Sequence, residues 1–320
     1  MKLPSKVKLV DVGPRDGLQN EKDPVPAAVK IELVHRLQDA GLTEIEVTSF
    51  VSPKWVPQMA DAAVVMAGIR RKPGVRYSVL TPNMKGFEAA VSPAKEFWPD
   101  EIVVFGAASE AFSQRNINCS IEESIKRFRP VVEAAKAKNI YVRGAISCAV
   151  GCPYEGEVAP ERVELVARLM KGIGVQHIGV ADTIGVGTPV KVERALAAAL
   201  KYYDVNDVSG HFHDTYGQAL GNTLVSLQMG VWQFDTSSAG LGGCPYAKGA
   251  TGNVATEDVV YMLHGMGIDT GIDLGRLVEA GQFISDFLQR KPNSRAATAL
   301  INKRLNEQAA AAEQACTELS

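Results

Sequence analysis

Short β-like runs alternate with helix-like segments along most of this 320-residue chain. Such alternation predicts a parallel sheet whose strands are joined by crossover helices. Eight runs within about 260 residues exceed the usual size of an open doubly wound sheet, and therefore favour a closed (β/α)8 TIM barrel. The predicted strands are residues 7–12, 44–48, 76–80, 101–105, 141–146, 177–181, 208–213 and 234–238.

Amphipathic segments separate these strands, and some begin with recognisable helix-start residues. Ser120 lies three residues before Glu123, as in an N-terminal capping box, and Pro189 follows Thr188 at a first helical position. Predicted helices include residues 26–40, 121–138, 159–172, 189–203 and 217–229, then 254–266 and 274–290. We expect residues 1–290 to form the barrel domain with its C-terminal helices, and residues 291–320 to form an Ala-rich tail, helical or disordered.

Charge and cysteine content exclude several classes of function. The formal net charge is −2 and no basic block occurs, which argues against nucleic-acid and anionic-membrane partners. Apolar runs are far shorter than the ~20 residues that cross a bilayer, and no signal-peptide core is present at the start. The five cysteines are an odd number without a CxxC pair, so we expect no disulfide framework and a cytoplasmic location.

Polar and ionisable residues follow the predicted strands repeatedly. In TIM barrels the active site lies at the C-terminal ends of the strands, so this placement indicates an enzyme. The residues concerned are Arg15 and Asp16 after strand 1, Glu46 and Ser49 in and after strand 2, Asp182 and Thr183 after strand 6, His211 and His213 in strand 7, and the stretch 240–253 after strand 8.

His211 and His213 form the sharpest local pattern. Two apart on a strand, they share one face, as two ligands of a metal ion must, although a hydrogen-bonded structural pair would look the same. Asp16 would approach them only if the barrel closes, and its alternative role is to cap the turn at Gly17. A mixed nitrogen and oxygen site of this kind suits Mg²⁺ or Mn²⁺.

Three further residues have a functional and a structural interpretation each. Arg15 could stabilise a developing oxyanion, or form a salt bridge with Glu46 or Asp11. Glu46 lies within a strand, where an inward carboxylate needs a partner, so we expect it beside Arg15 or a histidine. Asp182 is either a polar group of the site or a turn cap.

The glycine-rich stretch 240–253 matches neither a Walker loop nor a dinucleotide fingerprint. We interpret it as a mobile lid over the barrel mouth, in which Cys244 would be a reactive thiol, against the alternative of a plain flexible loop. Cys119, Cys148 and Cys152 are expected to be packed thiols.

Several motifs in collinear order resemble the 3-hydroxy-3-methylglutaryl-CoA lyase family, between about residues 7 and 290. They are VGPRDGLQNE at 12–21, TSFVSPK at 48–54, GAASE at 106–110, NINCS at 116–120, SCA at 147–149, GCPYEG at 151–156, DTIGVGTP at 182–189 and GLGGCPYAKGATGN at 240–253. The resemblance implies a metal-assisted retro-Claisen cleavage of (S)-3-hydroxy-3-methylglutaryl-CoA to acetoacetate and acetyl-CoA, within leucine degradation or ketone-body formation.

The resemblance also implies roles for individual residues. The implied Mg²⁺ or Mn²⁺ ligands are Asp16, His211, His213 and Asn253. Arg15 would contact the thioester carbonyl, Glu46 would support Arg15, and Cys244 would be the active-site thiol. Asp182 and His211 are further catalytic candidates, while Gln19, Ser49 and Thr183 are weaker substrate contacts.

The resemblance implies a homodimer with an acyl-CoA substrate. Two other functions stay open at this point. One is a related enzyme, either a condensing synthase that uses acetyl-CoA or a lyase for another 3-hydroxyacyl-CoA. The other is a non-catalytic barrel that binds metal or acyl-CoA.

Overall fold

Eight parallel strands form the centre of the computed structural model, which describes residues 3–243 and 252–318. The strands are β1 Lys8–Asp11, β2 Glu44–Ser49, β3 Arg76–Leu80, β4 Glu101–Ala107, β5 Tyr141–Ser147, β6 His177–Asp182, β7 Val208–Phe212 and β8 Gln233–Thr236. Each lies within a few residues of its predicted position.

The barrel closes between its first and last strands. β1 pairs with β2 at Asp11 and Ile45 and with β8 from Lys8 opposite Gln233 to Asp11 opposite Thr236. Around the circle, the remaining strands follow one another in sequence order. The predicted (β/α)8 TIM barrel is therefore confirmed.

Helices surround the barrel and extend beyond it. They are α1 Ala27–Asp39, α2 Ala62–Gly68, α3 Met84–Ala90, α4 Glu110–Ile117, α5 Ile121–Ala137, α6 Pro160–Ile173, α7 Pro189–Ala199, α8 Ala219–Gln228, α9 Thr256–Gly265, α10 Leu274–Phe287 and α11 Arg295–Glu318. The Ser120 hydroxyl accepts the Glu123 amide at 3.2 Å, which is the predicted cap of α5. None of the helices in the described part of the chain is both long and apolar enough to cross a bilayer.

The C-terminal segment packs on the barrel at its start. The Ser294 hydroxyl donates to the Asp258 carboxylate at 2.8 Å, and Ala297 is fully buried. The segment is helical over Arg295–Glu318. A helix was one of the two forms expected for the tail. The domain boundary at residue 290 stays a prediction.

The two faces of the barrel strands differ in chemistry. On β2, Ile45 and Val47 belong to the apolar layer that includes the surrounding helices, whereas Glu44 contacts Lys8 and Glu46 contacts Arg15. Because side chains alternate along a strand, the two carboxylates lie on the opposite face, inside the barrel. The barrel interior is therefore charged where many TIM barrels carry branched apolar residues.

Ion pairs fill the N-terminal half of this interior. Lys8 contacts Glu44, Arg76 lies 3.3 Å from Glu101, and the Nε of Arg143 lies 3.0 Å from the other carboxylate oxygen of Glu101. Burial raises the pKa of Glu101 to about 8, against the opposing effect of Arg143. Opposite charges thus compensate one another at the end of the barrel that is remote from the strand C-termini.

Candidate active site and metal centre

Arg15 and Asp16 lie on a π-helical turn, Gly13–Gly17, directly after β1. The turn fits only because its two ends lack side chains. A Cβ atom on Gly13 would lie 2.7 Å from an oxygen of Asp11, and one on Gly17 would lie 2.7 Å from the Cβ of Leu241. Single π-turns occur often at functional sites, and this one directs two charged side chains to the C-terminal mouth.

The carboxylate of Asp11 anchors the π-turn from below. It accepts the Gly13 amide at 2.9 Å, the Ser238 amide at 2.9 Å and the Thr256 hydroxyl at 2.8 Å. Burial raises the pKa of Asp11 to about 6, although these hydrogen bonds oppose the effect. The chain segments after β1 and β8 are therefore joined at one buried group, and Asp11 is not the partner of Arg15.

Arg15 is held between two carboxylates. Its NH2 group donates to Glu46 at 2.8 Å and its NH1 group donates to Asp16 at 2.6 Å. Burial lowers the pKa of the guanidinium, but Glu46 and then Asp16 outweigh this and raise it above its usual value. The side-chain Nε atom is buried and has no hydrogen-bond partner among the described residues. Arg15 is thus a fixed, permanently charged group whose Nε–H is still available to donate a hydrogen bond.

Asp16, His211 and His213 form a cluster with metal-ligand geometry. One potential ligand atom from each residue lies within 4.8 Å of the others. The amide nitrogen of Asn253 donates to Asp16 at 2.8 Å, while its amide oxygen is buried without a partner in the described part of the chain. An unpartnered oxygen beside a carboxylate and two imidazoles suits a divalent cation such as Mg²⁺ or Mn²⁺.

The electrostatics of the cluster keep Asp16 and His213 in their ligand forms. Burial raises the pKa of Asp16, but Arg15 and the two histidines outweigh it and lower the value to about 2. Burial, followed by the nearby His211, lowers the pKa of His213 to about 4. At neutral pH the site therefore presents an ionised carboxylate and a neutral imidazole, as metal binding requires.

Sequence reasoning missed two residues that the structure places beside the cluster. Asp235 on β8 lies 3.1 Å from the Nδ1 of His211, and the NH1 of Arg143 on β5 lies 2.5 Å from its other oxygen. Burial raises the pKa of Asp235, but Arg143 and then His211 outweigh it and hold the value well below the usual range. The available signal was a charged residue inside each of two predicted strands.

The remaining predicted residues lie around the same mouth with different environments. Asp182 accepts the amides of Val186 at 3.1 Å and Gly187 at 2.7 Å, which supports its interpretation as a turn cap. Burial raises the pKa of Asp182 to about 6. The Thr183 hydroxyl already accepts the Cys148 amide at 2.8 Å, which weakens it as a substrate contact.

Ser49 is fully buried, and its hydroxyl has no partner among the described residues. Gln19 is half-buried. The predicted lid at 240–253 lies in large part, with Cys244, outside the described residues. Cys119, Cys148 and Cys152 are buried free thiols, as expected.

Comparison with known proteins agrees with this geometry. The HMGL-like family model matches residues 6–284. The chain belongs to this family, that of the hydroxymethylglutaryl-CoA lyases. The resemblance inferred from the motifs is therefore confirmed, and the chain is an enzyme of a carbon–carbon lyase family.

Curated relatives match over nearly their whole length. A mitochondrial hydroxymethylglutaryl-CoA lyase of Rattus norvegicus is 59% identical, over 93% of this chain and 90% of the relative. A cytoplasmic 3-hydroxy-3-methylglutaryl-CoA lyase of Mus musculus is 56% identical, over 95% and 87%. A 3-hydroxy-3-isohexenylglutaryl-CoA/hydroxymethylglutaryl-CoA lyase of Pseudomonas aeruginosa is 57% identical, over 95% and 100%. The relatives thus differ in compartment and in acyl group.

Solved structures share the fold closely. The crystal structure of hydroxymethylglutaryl-CoA lyase from Pseudomonas aeruginosa superposes with a TM-score of 0.91 at 57% identity, covering 95% of this chain and 100% of that one. An HMG-CoA lyase from Acinetobacter baumannii, solved in complex with coenzyme A and 3-methylmalate, gives 0.87 at 34% identity, covering 93% and 96%.

Proposed function

We propose that this chain cleaves (S)-3-hydroxy-3-methylglutaryl-CoA to acetoacetate and acetyl-CoA. The observation that carries the proposal is the juxtaposition of Asp16, His211 and His213 with the buried guanidinium of Arg15 at the C-terminal mouth of the barrel. The family assignment supports it, because the curated relatives described above carry this activity in their names.

The reaction breaks the bond between C2 and C3 of the substrate. The tertiary hydroxyl loses its proton, the C3–O bond becomes the ketone of acetoacetate, and the electron pair of the broken bond leaves on acetyl-CoA as an enolate. Protonation of the enolate carbon completes the reaction. The site must therefore favour two developing oxygen charges and move two protons.

Arg15 meets the requirement at the thioester oxygen. Its guanidinium is held by Glu46 and Asp16, so it does not have to reorganise when negative charge develops there. Glu46 supports the reaction indirectly by fixing Arg15. The unpartnered Nε and the buried position of the side chain are what a stationary oxyanion donor in a dry site requires.

Asp16, His211, His213 and Asn253 would hold the metal ion, and their oxygen and nitrogen donors favour Mg²⁺ or Mn²⁺. A divalent cation bound there would lower the free energy needed to deprotonate the tertiary hydroxyl. The family and the cluster support a divalent metal in general. The choice of Mg²⁺ or Mn²⁺ belongs to the proposal.

We assign the proton transfers to a small set of groups. His211 and Asp182 lie at the mouth, and the raised pKa of Asp182, about 6, brings it near the operating range of a general acid or base. Cys244 is included on the family resemblance alone. Gln19, Ser49 and Thr183 are proposed as substrate contacts, with Ser49 favoured because its buried hydroxyl is still without a partner.

The proposal also covers the compartment, the oligomeric state and the metabolic role of the enzyme. We place the enzyme in the cytoplasm, in agreement with its buried free thiols, although relatives are named both mitochondrial and cytoplasmic. We propose a homodimer from the family resemblance. We also propose a role in leucine degradation or ketone-body formation.

The deciding experiment measures release of both products from (S)-3-hydroxy-3-methylglutaryl-CoA. The purified chain is assayed with Mg²⁺, with Mn²⁺ and with EDTA, beside a His213→Ala variant. We expect equal amounts of acetoacetate and acetyl-CoA with either metal, and none with EDTA or in the variant. Absence of both products under every condition would refute the proposal.

A second substrate tests the acyl group. Cleavage of 3-hydroxy-3-isohexenylglutaryl-CoA with a higher kcat/KM would move the assignment towards the second activity named for the Pseudomonas aeruginosa relative. Consumption of acetyl-CoA with a 2-oxo acid, in place of cleavage, would identify a condensing enzyme instead.

A further inference from the structure

We propose that Asp235, backed by Arg143, is a positioning residue that holds the His211 imidazole with its Nε2 atom towards the metal centre. The proposal rests on the metal ligation proposed above. It assigns a purpose to a buried ion pair that neither the sequence motifs nor the proposed chemistry explains.

The two oxygens of Asp235 are divided between two partners. One lies 2.5 Å from the NH1 of Arg143 and the other lies 3.1 Å from the Nδ1 of His211. A carboxylate only accepts hydrogen bonds, so the Nδ1 of His211 must carry the proton. The lone pair of the neutral ring then resides on Nε2, which leaves that nitrogen as the available ligand atom of His211 in the cluster with Asp16 and His213.

Arg143 fixes the carboxylate from across the barrel. It comes from β5 and Asp235 from β8, and two strands separate these in the sheet, so the contact crosses the interior. Arg143 is itself held by Glu101 at 3.0 Å, and Glu101 by Arg76 at 3.3 Å. The direct contact with the buried Arg143 leaves Asp235 little freedom to turn away from His211.

The second histidine provides an internal contrast. The Nδ1 of His213 is buried and has no hydrogen-bond partner within the described residues. Among the described residues, a carboxylate therefore holds the Nδ1 of His211 but not that of His213, whose Nε2 lies 4.0 Å from Asp16. A specific arrangement at one ring, and not at its neighbour two residues away, argues for a positioning role beyond general charge compensation.

Asp235→Asn gives a directional test, because Arg143 can only donate. The arginine will take the single oxygen of the new amide, which leaves the NH₂ group facing His211. The imidazole must then accept at Nδ1 and carry its proton on Nε2, so that Nε2 has no lone pair to offer a metal ion. With only five histidines in the chain, ¹⁵N-histidine NMR of the metal-free protein can identify the His211 signals through a His211→Gln spectrum.

We expect Nδ1–H at His211 in the wild type and Nε2–H in Asp235→Asn. Mn²⁺ binding, followed by the EPR signal of the free ion, should weaken about 10- to 100-fold in the variant. Glu101→Gln is the matched control, since it removes a carboxylate from the same chain, keeps an oxygen that can accept from Arg143, and leaves the Arg143–Asp235 and Asp235–His211 contacts in place. Its Mn²⁺ affinity should stay within about threefold of wild type.

If Asp235→Asn fails to fold, Arg143→Met/Asp235→Leu removes both charges of the pair and every acceptor for the Nδ1–H, and replaces the first variant. The double variant should also lose the Nδ1–H tautomer and Mn²⁺ affinity, because the ring loses its anchor. An unchanged tautomer together with wild-type Mn²⁺ affinity in either folded variant would overturn the proposal. Both readouts omit substrate, so they stand or fall independently of the lyase reaction.

Discussion

The two ends of the barrel interior both contain charged groups but arrange them differently. At the N-terminal end, Lys8, Glu44, Arg76 and Glu101 lie in contact with opposite charges. At the C-terminal end, one potential ligand atom from each of Asp16, His211 and His213 lies within 4.8 Å of the others, beside the unpartnered Oδ1 of Asn253. Buried polar atoms without a hydrogen-bond partner among the described residues occur at both ends, Ser209 Oγ being one at the N-terminal end. The difference teaches that neither a buried charge nor an unpartnered atom by itself indicates function, whereas ligand-type atoms that converge on one point do.

The strongest test of this comparison is Arg15→Gln at the C-terminal end. We expect kcat to fall about 10²- to 10³-fold, as when one oxyanion donor is removed, while Mn²⁺ binding is retained. Stability should also decrease, because Glu46 loses its buried partner. Steady-state kinetics, normalised to the folded fraction, and Mn²⁺ EPR separate the two effects. Near-normal turnover would remove Arg15 from the mechanism.

Glu44→Gln makes the opposite change at the N-terminal end. It leaves Lys8 without its carboxylate partner, and we expect a loss of about 1–3 kcal/mol in the free energy of unfolding. Activity per folded molecule should not change, because Glu44 lies away from the mouth. Urea denaturation and the product-release assay measure both quantities. A loss of kcat without a loss of stability would contradict the division between the two ends.

A serine-to-alanine substitution at each end of the barrel interior compares the two ends directly. Ser49 and Ser209 are both buried, and both hydroxyls have no hydrogen-bond partner in the described part of the chain. Ser49 ends β2 at the mouth, whereas Ser209 lines a cavity of about 130 Å³ with Lys8 and Glu44. Ser49→Ala should lower kcat/KM about tenfold, the value of one hydrogen bond to substrate. Ser209→Ala should leave it unchanged, and equal effects would refute the assignment of Ser49.

The last test concerns pH. Glu257 on α9 is fully buried and accepts the Ala239 amide at 2.8 Å, and burial raises its pKa to about 8. The folded state therefore holds a proton that the unfolded chain releases near its ordinary pKa of 4.5. The contribution of Glu257 to the free energy of unfolding is therefore fully present below about pH 4.5, and it is lost as the pH rises towards 8. Melting temperatures across that window should fall less steeply in Glu257→Gln than in wild type, and identical slopes would exclude this origin.

Much of the mouth could be predicted because its signals are local. The strand pattern placed Arg15, Asp16, His211 and His213 after or within strands, and barrel geometry then brought them together. Glu46 was matched to Arg15 because an inward carboxylate needs a partner, and the two lie 2.8 Å apart. These inferences required only the period of a strand and the cost of burying a charge.

The rest depended on three-dimensional register. Arg143 and Asp235 are 92 residues apart and meet only because β5 and β8 face each other across the closed barrel. The argument used for Glu46 applies to both residues, but it does not say which distant charge each one meets. The π-turn at Gly13–Gly17 could not be predicted from the sequence either, because its shape depends on the close approach of Asp11 and Leu241 to its two glycines.

The closure of β1 against β8 has a consequence for how the protein is made. The contact between Asp16 and Asn253 spans 237 residues, and His211 joins Asp16 from a strand near the end of the barrel. With the metal ligands proposed above, a ribosome must therefore release almost the entire barrel before a metal ion can bind its full set of ligands. Until then, the growing chain holds one carboxylate without its partners. Metal binding by the full set would then be possible only at the end of biosynthesis, and chains truncated before Asn253 would lack one of the proposed ligands.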